Sequence, residues 1–185
     1  FSFYANKILT TGEGGMVMTS DQNLADRARS YRNLCFRTDR RFYHTEIGNN
    51  LRMTNMQAAL GIAQLERIDE FVEIKRINGA LYGELLNQIP GLKIQKEMPW
   101  ARMVYWMYAV ELDEASGWNA EKMMAELSSR GVGTRPFFLG LHEQPALCDK
   151  GWYQDEKYPV THKSSRQGFY LPSSLNLTKK QIGFV

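Results

Sequence analysis

Between Asp21 and Asn33 the apolar positions Leu24, Ala25, Ala28 and Tyr31 return at helical spacing. This predicts a helix with one face packed inward and Ser20 or Asp21 as its N-cap. A longer run starts at Thr54 or Asn55, where Met56, Ala59, Leu60, Ala63, Ile68, Phe71 and Val72 keep the same period as far as Leu85, before Pro90-Gly91 stops it. It reads as one long helix or a helix pair spanning between domains, and packing alone accounts for nearly every residue in it. Extended segments flank these helices. Phe1–Tyr4 reads as β-type, and Met16-Val17-Met18-Thr19 reads as a short strand after the glycine-rich turn Gly12-Glu13-Gly14-Gly15. Leu34–Asn50 is polar and basic without a clear period, a loop long enough to be functional or partly mobile.

Beyond Pro90 the pattern changes. Leu92–Gln95 and the aromatic, β-branched run Val104–Leu112 are strand candidates, followed by a helix capped by Asn119 and carrying Met123, Met124 and Leu127. Gly131 stands where a helix C-terminus takes a left-handed residue, and Val132–Phe138 is another strand candidate. A loop rich in proline, glycine and aromatics leads to a short helix near Thr161–Gly168, and Thr178-Lys179-Lys180-Gln181 is a capping box opening a helix that the chain cuts short. No internal repeat or low-complexity tract is visible. The opening Phe1-Ser2-Phe3-Tyr4 lacks a methionine and lies inside an extended segment, so the chain is expected to be a fragment missing its N-terminal part.

Composition narrows the class. The 185 residues are 43% hydrophobic, 12% aromatic and 23% charged, enough for one ordinary core or two small ones. No apolar run approaches the roughly 18 residues of a membrane span, and no basic-then-apolar leader opens the chain. Cys35 and Cys148 match no metal or redox spacing and read as reduced thiols, so a cytoplasmic location is expected. His44, His142 and His162 are too scattered to suggest a metal site. The net charge of +3, from 23 basic and 20 acidic residues, is interspersed, with no zinc-finger spacing and no long basic helix, so nucleic acid is not the expected partner. One local cluster, Arg37, Arg40 and Arg41, suits either the phosphates of a small anionic ligand or a solvated loop.

Lys7 stands out by its context. It lies between an apolar extended segment and a glycine-rich turn, where a side chain can project from a sheet edge into a cleft. Schiff-base chemistry needs a lysine desolvated enough to lose its proton near neutral pH and held against an aldehyde. Ser2 lies one short loop away and offers a hydroxyl suited to a phosphate.

The run Ser2-Phe3-Tyr4-Ala5-Asn6-Lys7-Ile8-Leu9-Thr10-Thr11-Gly12-Glu13-Gly14-Gly15 resembles the lysine motif of the pyridoxal-phosphate (PLP) dependent DegT/DnrJ/EryC1/StrS sugar aminotransferases. Gly48-Asn49-Asn50-Leu51-Arg52-Met53-Thr54-Asn55-Met56-Gln57-Ala58-Ala59 resembles that family's second block. Thr134-Arg135-Pro136-Phe137-Phe138, Leu141-His142 and Leu171-Pro172-Ser173-Ser174 resemble its C-terminal blocks. These stand in family order along nearly the whole chain. Tyr43-His44 and Tyr105-Trp106-Met107 are most similar to its perosamine synthase branch.

The resemblance implies an α/β fold, the C-terminal part of a fold type I PLP-dependent aminotransferase. Residues 1–90 would be the tail of the large PLP-binding domain with the long interdomain helix, and residues 91–185 the small C-terminal α/β domain, incomplete at its end. It implies amino transfer from L-glutamate to a nucleotide-diphosphate 4-keto-6-deoxy sugar for polysaccharide or O-antigen biosynthesis. Lys7 would carry the cofactor and move the proton between substrate carbon and cofactor. Ser2 would hold the cofactor phosphate, and Asn50 would reach it from the other subunit of a homodimer with shared sites. His44, Arg52, Arg135 and His142 would lie near the nucleotide-sugar or donor pocket, with a salt bridge as the alternative for the two arginines and a structural loop role as the alternative for His142. Glu13 suits a turn or backbone hydrogen bond.

The chain departs from the family pattern at Ala5, where glycine is usual, at Asn49, where an aromatic is usual, and at Tyr170, where asparagine is usual. The last two bear on substrate fit. The family's cofactor clamp also draws on an aspartate and a stacking aromatic from a region before Ser2, so the fragment alone is expected to be inactive. Two further readings are a PLP-dependent sugar dehydratase of the same fold, a branch distinguished by histidine in place of Lys7, and a non-catalytic binding or regulatory fragment.

Overall fold

The computed structural model describes residues 1–185 and divides into two compact units, Phe1–Ile68 and Asp69–Val185. In the first unit Phe1–Phe3 lies antiparallel to Gly14–Met16. Phe3 N donates to Gly14 O at 2.9 Å and Met16 N to Phe1 O at 2.9 Å, around a single bridge between Ser2 and Gly15. The strand expected at Met16–Thr19 does not form. It has no ladder partner within this chain, and Val17 and Met18 are 78% and 70% exposed; a strand exists only through its hydrogen-bonded neighbour.

Helix α1 (Gln22–Arg32) starts where the sequence places it, with the Asp21 carboxylate accepting from Asn23 N and Leu24 N. Ala25, Ala28 and Tyr31 are half-buried, while Leu24 points out. The 34–50 segment is well tied to the C-terminal end of α1: Asn49 N donates to Tyr31 O at 2.8 Å, Leu34 N to Asn49 O at 3.1 Å and Leu51 N to Arg32 O at 3.0 Å. Its tight path requires left-handed backbone at Leu34 and Cys35. Helix α2 (Asn55–Leu65) opens with a capping box, the Thr54 hydroxyl accepting from Gln57 N and the Gln57 side chain accepting from Thr54 N. The long apolar run is therefore a helix pair, interrupted at Glu66-Arg67 before α3 (Ile68–Leu86).

The second unit is built on a four-stranded antiparallel sheet in the order β1-β2-β4-β3, from β1 (Leu92–Ile94), β2 (Tyr108–Leu112), β3 (Arg135–Pro136) and β4 (Gly168–Leu171). Tyr108, Val110 and Leu112 alternate onto the same face as Leu92, Ile94, Phe169 and Leu171, opposite which they register. That face meets Tyr82 and Leu86 of α3, Ala120 of α4 (Ala120–Ser129) and Ile182 of α7 (Lys179–Phe184), forming the core. Truncating a fully buried ring here, such as Phe169, costs about 3–5 kcal/mol. Two shorter helices, α5 (Pro145–Cys148) and α6 (Pro159–Gln167), complete the unit, and Ser164 of α6 donates to Glu111 on the other sheet face at 2.8 Å.

Two strands are shorter than the sequence predicts. The Val104–Leu112 run pairs only from Tyr108, because Tyr105 has φ +44° and breaks the extended path. The Val132–Phe138 run contributes only Arg135 and Pro136, an edge strand containing a residue without an N–H to donate. Asn119 and Thr178 cap α4 and α7 as expected, and Gly131 is left-handed with φ +81°. No helix is long and apolar enough to cross a membrane.

Candidate active site

Lys7 sits in a loop whose ends are welded together. Its own N–H donates to Tyr4 O at 3.0 Å, making Tyr4–Lys7 a tight turn, and its side chain is half-buried. The carbonyl of Phe3 accepts both Thr11 N and the Thr10 hydroxyl at 2.9 Å, closing the loop. The Thr11 hydroxyl then donates to Glu13 O at 2.6 Å, which gives Glu13 the backbone role expected of it. Gly14 has φ +123°, a conformation that L side chains rarely adopt, so this turn favours glycine.

Helix α2 holds this loop from outside. Gln64 pairs with both backbone groups of Thr10, and Gly61 lets the helix approach the buried Thr11 so closely that a Cβ would come to 2.9 Å from its methyl group. Ser2 is at the other end of the same hairpin, opposite Gly15. Its hydroxyl oxygen accepts from Tyr4 N at 3.4 Å, so its own O–H is oriented away from that amide and suits a phosphate oxygen.

The other first-unit candidates gather around the end of α1. Asn50 bridges Asn33, and Arg52 Nη1 donates to Asn33 Oδ1 at 3.3 Å. His44 pairs with Phe36, and its Nδ1 lies 2.6 Å from Leu34 O. A carbonyl only accepts, so Nδ1 carries the proton and a neutral His44 presents Nε2 as an acceptor. In the basic cluster, Arg37 is bidentate to Asp39 at 2.7 and 2.6 Å and holds its carboxyl below the usual range, while Arg40 and Arg41 lie over the rings of Tyr43 and Phe42.

In the second unit Arg135 is exposed on β3 in register with Tyr170, whose ring packs on Phe137 at 4.6 Å. His142 lies in a single 3-10 turn, Leu141–Glu143, with its ring 4.8 Å from that of Tyr158 and close against Gly140. The structure thus joins Ser2 with Lys7 in one loop, and His44, Asn50 and Arg52 around α1, while Arg135 and His142 belong to the other unit.

Two features escaped the sequence reading. Glu143 accepts from Arg166 and pairs with His162 at 2.7 Å, and these neighbours, Arg166 foremost, hold its carboxyl below the ordinary value. The i,i+4 spacing of His162 and Arg166 is visible in the sequence, but their distant acid is not. Lys75 is only 6% exposed; its signal was a charge at a core position of α3, in step with Gly79, Tyr82 and Leu86.

The sequence model of the DegT/DnrJ/EryC1/StrS aminotransferase family matches residues 1–185. Among curated proteins, the GDP-perosamine synthase of Escherichia coli O157:H7 is 35% identical over 185 residues, covering 100% of this chain and 49% of that protein. The GDP-perosamine synthase of Caulobacter vibrioides is 34% identical over 184 residues, covering 98% and 48%. Among solved structures, the aminotransferase TlmJ from Streptoalloteichus hindustanus superposes with a TM-score of 0.86 at 29% identity, covering 100% of this chain and 48% of that one. DesV from S. venezuelae gives 0.86 at 28% identity, covering 98% and 47%. The chain spans about half the length of the curated relatives it matches. Its α/β fold is that of part of such an aminotransferase, as the lysine motif and its companion blocks led us to expect.

Proposed function

The chain belongs to the DegT/DnrJ/EryC1/StrS aminotransferase family, and from that premise we propose that it is part of a PLP-dependent sugar aminotransferase that moves an amino group from L-glutamate to a nucleotide-linked 4-keto-6-deoxy sugar. The reading follows the relatives named GDP-perosamine synthase, which include the E. coli and C. vibrioides proteins. In the same reading residues 1–90 serve as the tail of the large domain, residues 91–185 form the small one, and two copies share their sites. The observation that carries the proposal is the fixed loop around Lys7, tied at Phe3 and clamped to α2 through Gln64.

The donor set fits PLP. Lys7 offers an amine for the cofactor aldehyde, the Ser2 hydroxyl faces away from its own amide partner and suits the phosphate, and Asn50 offers an amide for the phosphate of the neighbouring copy. When bound, PLP supplies the electron sink that makes the substrate carbon acidic. Lys7, placed by the turn at Tyr4–Lys7, would hold the cofactor through its amine and carry that proton away from the substrate carbon. His44, Arg52, Arg135 and His142 are the residues we assign to the nucleotide-sugar and donor pockets; the guanidinium groups suit phosphate and carboxylate oxygens, which accept bidentate N–H donors. A lysine at position 7 favours amino transfer over the dehydratase branch, which carries a histidine there.

The full-length protein tests the proposal. Borohydride should bleach its cofactor band and fix the label on the peptide containing Lys7, and supplying glutamate with nucleotide-linked 4-keto sugars should yield 2-oxoglutarate. A label on any other lysine would overturn the site assignment, and no 2-oxoglutarate with any such sugar would overturn the reaction.

A further inference from the structure

Lys75, Gly79, Tyr82 and Leu86 form the buried stripe of α3. A lysine in such a row must be answered by partners, because an unpaired charge in a core is expensive. Lys75 Nζ donates to two backbone carbonyls, Trp106 O at 3.0 Å and Ser173 O.

The sheet register explains why these two. In the β2–β4 ladder Tyr108 stands opposite Leu171, Ala109 opposite Tyr170 and Val110 opposite Phe169. Extending the same register two residues beyond Tyr108 pairs Trp106 with Ser173. The ladder ends short of that pair, because Tyr105 is left-handed and Pro172 has no N–H to donate. The Pro172 carbonyl is taken instead by the Tyr82 hydroxyl at 2.9 Å, and the Ser173 hydroxyl donates to Trp106 O at 3.4 Å. Beyond the last ladder pair the Lys75 amine bridges the carbonyls of Trp106 and Ser173.

We propose that Lys75 is a proton-linked clasp for this end of the β2–β4 ladder: its amine joins the two strand ends when they are closed, and their opening to water takes up a proton at alkaline pH. The inference concerns the second unit alone and does not depend on the reaction proposed above.

The sign follows from burial. Closed, the amine is pushed down to about 8 from 10.5 by loss of water, against which its two carbonyl partners pull the other way. Open, it returns toward the ordinary lysine value. The closed state therefore binds the proton more weakly, and closure strengthens as pH rises from about 8 toward 10.5. The ionisable groups on the packed elements are Asp69, Glu70, Glu73, Arg76, Tyr82 and Glu84 on α3, and Lys96, Glu97, Arg102, Tyr105 and Tyr108 on the segment leading into β2; Pro172–Leu177 carries none. Arg76 is paired with Glu97 at 2.9 Å, and burial pushes Tyr82 and Tyr108 up to about 12, so these two tyrosines stay neutral while Lys75 titrates.

Hydrogen exchange at the Tyr108 and Leu171 amides of the full-length protein, corrected for intrinsic rates, tests the clasp between pH 7 and 10. Protection should be flat near pH 7 and rise above pH 8 by up to about tenfold per pH unit in the wild type. It should lose that rise in Lys75→Arg, whose guanidinium does not titrate there, and in Lys75→Met. Protection that stays flat in the wild type, or rises equally in Lys75→Arg, overturns the proposal. Should Lys75→Met fail to fold, the wild type against Lys75→Arg decides it.

Discussion

Gln64 holds both backbone groups of Thr10: Thr10 N donates to Gln64 Oε1 at 3.1 Å, and Gln64 Nε2 donates to Thr10 O at 2.6 Å. A residue of α2 thereby completes, with its side chain, the backbone bonding of the Lys7 loop, 54 positions away in sequence. Replacing Gln64 by Leu leaves two partly buried backbone groups without this partner. We expect the full-length protein to lose about 1–3 kcal/mol of stability, read by urea unfolding, with faster hydrogen exchange at Thr10. Unchanged exchange there would mean that the loop does not rely on Gln64.

Gly48 passes so close to the preceding turn that a Cβ would stand 2.6 Å from Cys35 N and 2.6 Å from Leu34 C. Both are backbone atoms of residues already in left-handed conformation, so they have little room to yield. Gly48→Ala should destabilise by about 1–3 kcal/mol, seen as a lower Tm. It should also displace the His44–Asn50 segment in a crystal structure of the variant.

Thr54→Ala removes one half of the capping box that opens α2. The expected loss is about 1 kcal/mol in urea unfolding. Thr54→Ser, which keeps the hydroxyl, should recover most of it.

Glu143 makes a pH-dependent contribution. Arg166 first, and His162 after it, hold its folded pKa below the ordinary 4.5. A depressed carboxyl stabilises the fold above its unfolded pKa, and that stability is lost as pH falls through the folded value. The Tm gap between wild type and Glu143→Gln should therefore be present at neutral pH and shrink below about 4.5. A gap independent of pH down to 3 would show that the charge contributes nothing.

Much of the local architecture could be read without coordinates. Asp21, Thr54, Asn119 and Thr178 are N-caps because their side-chain oxygens reach amides two or three residues ahead, an interaction contained within one turn. The Lys7 motif, with its glycines, likewise announced a closed turn. The strand limits were less legible. The run Val104–Leu112 has β-type composition throughout, yet only its second half finds partners, and Met16–Thr19 has the composition but no partner in this chain.

By itself the sequence determined the family, the α/β class and the N-caps of α1, α2, α4 and α7, and it supplied the candidate site residues, because motifs, caps and periodicity are written in neighbouring residues. Only the tertiary structure decided which backbone groups Gln64 and Lys75 satisfy, where β2 and β4 part, and that Glu143 answers both His162 and Arg166. Lys75 meets partners 31 and 98 positions away. Contacts over such distances are set by how the whole unit buries its apolar face and pairs its strands, and no local pattern of side chains encodes which carbonyl a buried ammonium will find.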